Sequence, residues 1–216
     1  GRKKEPEHQH DDGGHGAGLW DYWVMMRKHP RCAGAFLWVF ADEGLMRTDQ
    51  NGRIDNVGNY AADGIVGPHH EKEGSFFTVK EVWCPVQIKA LGRTVTCTER
   101  TEALRQDQNS FIADPEAFVG KFHVENRYDF ISLEDCRIKW SLANFAKPGD
   151  KSGGHNIIGQ GEQAGPKLAP HQSGEFQLKL PANWKEADVL YVSVFNPRGE
   201  EIYTWGWYWK SDRDYT

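Results

Sequence analysis

The chain has 216 residues, of which 38% are hydrophobic and nine are Trp, and its formal net charge is −5. This length allows one or two domains with a substantial core. The negative charge argues against nucleic acid or an anionic membrane surface as a partner. No apolar run approaches the roughly 20 residues of a membrane-spanning helix. We therefore expect a globular chain without a membrane span.

The first 18 residues are polar, charged and rich in glycine, which predicts a loop. His8, His10 and His15 lie near Asp11 and Asp12, and such side chains can bind metal ions. A solvated loop is the favoured interpretation, because no predicted helix or strand fixes the geometry of these residues. We therefore predict no metal site here.

A helix and a buried strand are predicted next. The helical spacing i, i+3, i+4, i+7 is followed by Leu19, Tyr22, Trp23 and Met26. The helix should end at His29-Pro30, because a proline disfavours helical backbone before it. Residues 35–41 are an almost unbroken apolar run that stops at Asp42-Glu43, which predicts a strand buried on both faces. Together these elements are half of an α/β repeat.

The domain boundary is predicted at Cys84-Pro85. Residues 75–83 have the pattern of a short amphipathic helix, and the proline ends it and starts an extended link. Residues 49–53 and 56–68 are turns and loops by composition. The four cysteines form no CxxC pair, so we expect reduced thiols rather than a zinc site or a disulfide framework.

Beyond the boundary the hydrophobic pattern has a period of two, which is typical of an antiparallel β-sandwich. Predicted strands cover 86–89, 121–126, 136–142, 175–180, 190–194 and 202–209. We expect long loops over 93–120 and over the glycine-rich residues 147–165. Trp205, Trp207 and Trp209 share one face, where they either cover a core or interface or form a carbohydrate platform.

Three groups of motifs occur in order along the chain. They are Leu19-Trp20-Asp21-Tyr22-Trp23 with residues 34–45, Asp63-Gly64-Ile65-Val66-Gly67-Pro68 with residues 80–86, and Val124-Glu125-Asn126-Arg127-Tyr128-Asp129-Phe130. This order resembles glycoside hydrolase family 2, the family of the β-galactosidases and β-glucuronidases. The resemblance implies that residues 1–84 are the C-terminal section of a TIM-type (β/α)8 barrel and that residues 85–216 are an all-β immunoglobulin-like sandwich. A complete barrel needs roughly 250 residues, so the resemblance implies a fragment.

The resemblance also implies site residues. Glu5 corresponds to the catalytic nucleophile and His8, three residues later, to a substrate-binding histidine, although the charged, proline-flanked surroundings of Glu5 also suit a surface acid. Trp38 would stack on the sugar, or else belong to a core. Asp63 would shape the site wall, beside a possible monovalent or divalent cation, or else serve a turn. No segment matches the general acid/base.

The implied parent enzyme hydrolyses terminal β-galactosides with retention, and its partners are a carbohydrate and the remaining domains of the parent polypeptide. The chain alone is expected to be inactive, because retaining hydrolysis uses two carboxyl groups. The alternative is a carbohydrate-binding or structural β-sandwich module. The sequence leaves the bacterial periplasm and the cytoplasm equally open as the compartment.

Overall fold

A computed structural model describes residues 18–55, 63–91, 115–147, 149 and 154–209. The chain divides into two compact units, Gly1–Trp83 and Cys84–Thr216. Among the described helices, none has the length and apolar character of a membrane span.

The described part of the first unit contains two α-helices and a small hairpin. Their bounds are Leu19–Lys28 for α1, Leu45–Arg47 for β1, Arg53–Asp55 for β2 and Gly74–Val82 for α2. α1 ends as predicted, with His29 extended before Pro30. The rings of Trp23 and Trp83 pack 5.9 Å apart between centroids.

The buried strand predicted over residues 35–41 is not formed. In this run the exposed fractions are 103% for Phe36, 76% for Trp38 and 60% for Phe40. Among the described residues, its backbone makes only an isolated bridge, between Ala41 and Val66. An apolar run becomes a buried strand only where other strands pair with both of its edges and cover its faces. The described residues of this unit supply one short neighbouring segment, so the aromatic side chains stay in solvent.

The described part of the second unit is a β-sandwich of seven antiparallel strands. The strands are Val86–Ala90 (β3), Lys121–Asn126 (β4), Arg137–Phe145 (β5), His155–Ala164 (β6), Ser173–Gln177 (β7), Val189–Phe195 (β8) and Glu201–Tyr208 (β9). One sheet has the order β3-β4-β7 and the other the order β6-β5-β8-β9. Four of the six predicted strands agree with the structure to within one residue at each end, and the strand predicted over 136–142 extends to Phe145. The strand predicted over 175–180 occurs as β7, which ends at Gln177.

The core lies between the two sheets. The ring of Phe122 on β4 stacks on Phe176 of its own sheet at 5.2 Å and contacts Trp207 of the opposite sheet at 5.0 Å. Ile88 and Val124 face Leu142 and Leu190 in the same buried cluster. The period-two pattern therefore produces two apolar faces that close on each other, as in other sandwiches.

The prediction of a loop over residues 147–165 is wrong for the second half of that range. β6 occupies His155–Ala164 and pairs with the whole of β5. It lies at the edge of its sheet and buries little, so its sequence needs few apolar residues, and one of its glycines, Gly161, has a packing reason. A Cβ on Gly161 would lie 2.7 Å from the ring of Trp140 on the neighbouring strand.

The last three tryptophans form no surface platform. Trp205, Trp207 and Trp209 are all buried, and Trp209 packs edge-on against Trp184 at 4.8 Å between ring centroids. Their alternation places them toward the opposite sheet, where each removes a large apolar area from water. The core interpretation of these residues is confirmed, and the carbohydrate platform is excluded.

Candidate functional site

Two short segments of the first unit run side by side and carry two of the residues implied by the resemblance. Val39 N donates to Asp63 O (3.3 Å), Ile65 N donates to Val39 O (3.0 Å), and Asp42 N donates to Val66 O (2.9 Å). The bridge between Ala41 and Val66 is parallel. Trp38 and Asp63 are thereby brought to the same end of this pairing.

The close approach of the two segments requires glycine at position 64. A Cβ there would lie 2.3 Å from Asp42 N and 2.6 Å from the Val66 carbonyl oxygen. Gly64 N also donates to the carboxylate of Asp42 at 2.7 Å. Asp42 therefore joins the two segments, which is a structural role for a carboxylate at the end of the apolar run.

Trp38 presents its indole ring to solvent. The peptide bond that follows it, between Trp38 and Val39, is cis. A flat, exposed aromatic ring can stack on the CH-rich face of a pyranose. The core interpretation of Trp38 is wrong for the chain as described, since neither sheet nor helix covers the ring.

Asp63 carries an unusual carboxylate oxygen. Its Oδ1 atom is buried and has no hydrogen-bond partner among the described residues. Burial of a carboxylate oxygen without a partner is costly, so this atom is suited to a donor that the described residues do not supply, such as a hydroxyl group or a hard cation.

The described residues do not form a metal site around Asp63. They contain no group of three or more His, Cys, Asp or Glu side chains placed to hold an ion. A hard cation takes six or more oxygen ligands as a rule, and one carboxylate is a small part of such a shell. The cation implied by the resemblance is therefore not accommodated by this part of the chain alone.

One contact near Trp38 was not anticipated from the sequence. The ring of His70 lies 5.9 Å from that of Phe40, and His70 has a positive φ of 62° in a turn closed by its N–H on Gly67 O (2.9 Å). The Gly67-Pro68 pair signals the turn, but no local pattern identifies the aromatic partner.

The other implied residues, Glu5 and His8, lie outside the described residues.

Comparison with known proteins gives a consistent set of matches. Residues 122–204 match the family described as β-galactosidase, domain 4. The β-galactosidase of Oenococcus oeni is 41% identical over 85 residues, which are 34% of this chain and 8% of that protein. The β-galactosidase of Priestia megaterium is 22% identical over 147 residues, 63% of this chain and 12% of that protein.

A third relative, the β-galactosidase of Pseudoalteromonas haloplanktis, is 46% identical over 33 residues, 15% of this chain and 3% of that protein. The chain thus spans about a tenth or less of the length of these relatives. A solved endonuclease/exonuclease/phosphatase from Beutenbergia cavernae aligns at 13% identity over 44% of this chain and 21% of that one. Its TM-score of 0.20 is too low to indicate a shared fold. The sequence matches relate this chain to the β-galactosidases, with its sandwich corresponding to their domain 4.

Proposed function

We propose that this chain is a segment of a β-galactosidase-like enzyme of glycoside hydrolase family 2. Residues 1–84 would supply the end of its catalytic barrel, and residues 85–216 the immunoglobulin-like domain that follows. The observation that carries the proposal is the match of residues 122–204 to β-galactosidase domain 4. The motifs around Trp38 and Asp63 support it, because they lie before that domain in the order expected from the resemblance.

Within the parent enzyme, Trp38 is assigned to the sugar subsite and Asp63 to its wall. An exposed indole offers a flat apolar surface for the sugar ring, and the unpartnered Oδ1 of Asp63 can accept a hydrogen bond from a sugar hydroxyl. Glu5 is the proposed nucleophile equivalent, with His8 beside it. Neighbouring barrel strands from the parent would cover Phe36 and Phe40.

The parent enzyme would hydrolyse terminal β-galactosides with retention of configuration. That reaction needs a nucleophile and an acid/base whose carboxyl groups lie about 5–5.5 Å apart. This chain offers a match to the first alone, and the two groups act only as a unit. We therefore propose that the chain by itself has no turnover.

The first experiment compares the purified chain with Glu5→Gln on an aryl β-galactoside. No hydrolysis above the buffer rate is expected from either protein. Enzyme-like turnover by the chain, lost in Glu5→Gln, would show a complete active site in this chain or in a partner copy and would overturn the fragment proposal.

The second experiment restores the missing parts. A chimera carries residues 19–216 in place of the corresponding segment of the Oenococcus oeni β-galactosidase. It should hydrolyse lactose, and Trp38→Ala in the chimera should lower kcat/KM by about 100-fold through lost positioning of the sugar. Phe130→Ala is the matched control, because Phe130 is also a highly exposed aromatic residue (95%, against 76% for Trp38) and lies in the second unit. An active chimera that tolerates Trp38→Ala would remove Trp38 from the subsite.

The second candidate function is a carbohydrate-binding or structural sandwich module. The observation that favours it is the confinement of the buried hydrophobic cluster to residues 84–209. The chimera separates the two proposals. If the chain is only a binding or structural module, Trp38→Ala should leave hydrolysis by the chimera unchanged.

A further inference from the structure

The outer face of the four-stranded sheet holds an open pocket of about 520 Å³. We call it the outer-face pocket and define it by Lys139, Ser141, Gln160, Glu162, Ser193 and Phe195. The first two residues alternate along β5 with the buried Ile138 and Leu142, so they point away from the sandwich core. Their cross-strand partners include Glu162 and Gln160 on β6 and Ser193 on β8.

Three polar side chains of this pocket are available to a ligand. Within the described part of the chain, Ser141, Gln160 and Glu162 make no side-chain hydrogen bond or ion pair. Together they present a hydroxyl, an amide and a carboxylate toward one volume. Adjacent hydroxyl groups of a sugar are suited to such a set, because each can donate to one oxygen and accept from a neighbouring donor.

Two aromatic residues line the pocket, Trp140 on β5 and Phe195 on β8. The ring of Phe195 lies under Lys139 Nζ, which is 4.5 Å from the ring centroid. Lys139 stands directly opposite Glu162 in the strand register, yet the two form no ion pair. A move of the ammonium group from the ring toward the carboxylate of Glu162 would expose the face of Phe195.

The aromatic surface continues along the same strand. Tyr191, Ser193 and Phe195 alternate on the outer face, and Ser193 Oγ lies 2.6 Å from Thr204 Oγ1 on β9. The ring of Tyr191 lies over Gly206, where a Cβ would be 3.1 Å from Cε1, and is 5.4 Å from the ring of His155. The glycine thus lets this aromatic side chain lie flat across the sheet.

We propose that the outer-face pocket is a saccharide-binding site, separate from the segment that carries Trp38. Its volume is within the range of small-molecule sites, and it combines an aromatic ring with a few convergent polar groups, as such sites do. A neutral ligand is favoured, since Lys139 and Glu162 contribute opposite charges. A sugar ring would stack on Phe195, and its hydroxyls would bond to Ser141, Gln160 and Glu162.

The test is a titration of the full 216-residue chain, labelled with ¹⁵N, with lactose and with β-1,4-galactotriose. Saturable shifts are expected in the amides of residues 139–141, 160–162 and 193–195, with a Kd on the order of 1 mM. Because the readout is binding rather than hydrolysis, the result is independent of the proposed enzymatic function.

Variants assign the binding to the pocket. Phe195→Ala and Glu162→Gln should each weaken binding by about tenfold, through loss of stacking and of a charge-assisted hydrogen bond. Glu162 lies on an exposed edge strand, so its variant keeps the test valid if Phe195→Ala fails to fold. Phe130→Ala is the control and should leave the Kd unchanged, because Phe130 is an exposed aromatic residue outside the pocket.

Two results would overturn the proposal. One is the absence of saturable shifts at these amides with both saccharides up to about 20 mM, roughly twenty times the expected Kd. The other is saturable binding that survives Phe195→Ala and Glu162→Gln but is lost in Trp38→Ala, which would locate the only sugar site at Trp38.

Discussion

At the residue scale, the side chain of Asn126 makes three hydrogen bonds in the sandwich. It is fully buried at the end of β4. Its Nδ2 donates to Ile131 O (2.9 Å) and to Leu168 O (3.0 Å), while its Oδ1 accepts from Tyr128 N (3.0 Å). One fully buried side chain therefore joins two loops.

Asn126→Ala should lower the free energy of unfolding by about 2–4 kcal/mol, because it leaves buried backbone groups without this partner. Asn196→Ala is the matched control: Asn196 also makes three side-chain bonds, to Arg198 and Glu200, but in an exposed turn. That change should cost no more than about 1.5 kcal/mol. Urea unfolding of both variants measures the difference, and equal losses would contradict the importance of burial.

Cys136 should make stability depend on alkaline pH. Burial, with a smaller contribution from Asp135, raises the pKa of its thiol from 9.0 to about 11. The folded chain keeps the proton longer than the unfolded chain, so this contribution is fully present below pH 9 and is lost as the pH rises from 9 to 11. A shift of two pKa units corresponds to a loss of at most about 2.7 kcal/mol in the free energy of unfolding.

The measurement is the free energy of unfolding at pH 7 to 11 for the chain and for Cys136→Ala. The variant should show a shallower decline between pH 9 and 11. Burial also raises the pKa of Tyr128, to about 12, so both proteins should lose further stability above pH 10. Parallel declines over the whole range would show that Cys136 is not responsible.

At the element scale, β6 shows how a polar, glycine-rich sequence forms a long strand. Its backbone pairs with β5 from Arg137 to Phe145, with one irregularity at Leu142/Ala143. Trp140 crosses the neighbouring strand at Gly161, where the absence of a side chain leaves room for the indole. The strand is thus held by hydrogen bonds and by side chains of β5, while it contributes few buried groups of its own.

Gly161→Ala should destabilise the chain by about 1–3 kcal/mol, because the new methyl group would meet the Trp140 ring at 2.7 Å. Gly159→Ala is the control on the same strand: its Cβ would have its nearest contact at 3.5 Å, with Leu142 Cδ1. This change should be neutral or slightly stabilising, by up to about 1 kcal/mol. Thermal unfolding measures both, and the penalty of Gly161→Ala should disappear in a Trp140→Ala background.

At the scale of the whole molecule, the two units differ in how much apolar surface they bury. The described part of the second unit contains a continuous cluster that joins both sheets. In the described part of the first unit, α1 has no buried residue, and Phe36, Trp38 and Phe40 remain exposed. Burial of each large side chain is worth roughly 1.5–3 kcal/mol, which the first unit does not gain from its own residues.

Residues 84–216 expressed alone should therefore unfold in one cooperative thermal transition. Residues 19–83 expressed alone should show no such transition and should self-associate or bind a hydrophobic dye, since contiguous exposed apolar surface drives association. Calorimetry and sedimentation of the two segments measure this. A gradual melt of 84–216, or a monomeric and dye-negative 19–83, would contradict the division of stability between the units.

The sequence by itself determined the elements whose side chains repeat with a clear period. Phe122 and Val124 alternate with polar residues, as do Leu190, Val192 and Val194, and both stretches are strands because one face of each must leave water. The end of α1 before Pro30 follows from local sterics alone. The assignment of Glu5, His8, Trp38 and Asp63 to a site came from motif resemblance and remains a prediction.

Only the tertiary structure decided features that depend on a neighbour distant in sequence. β6 is a strand because β5 pairs with it, Trp207 is buried because Phe122 of the other sheet covers it, and Phe36 is exposed because no described strand lies against it. The outer-face pocket likewise combines side chains of three strands, so no local pattern could indicate it. Local periodicity determines which side chains must be buried, whereas the pairing of distant strands determines which residues bury them.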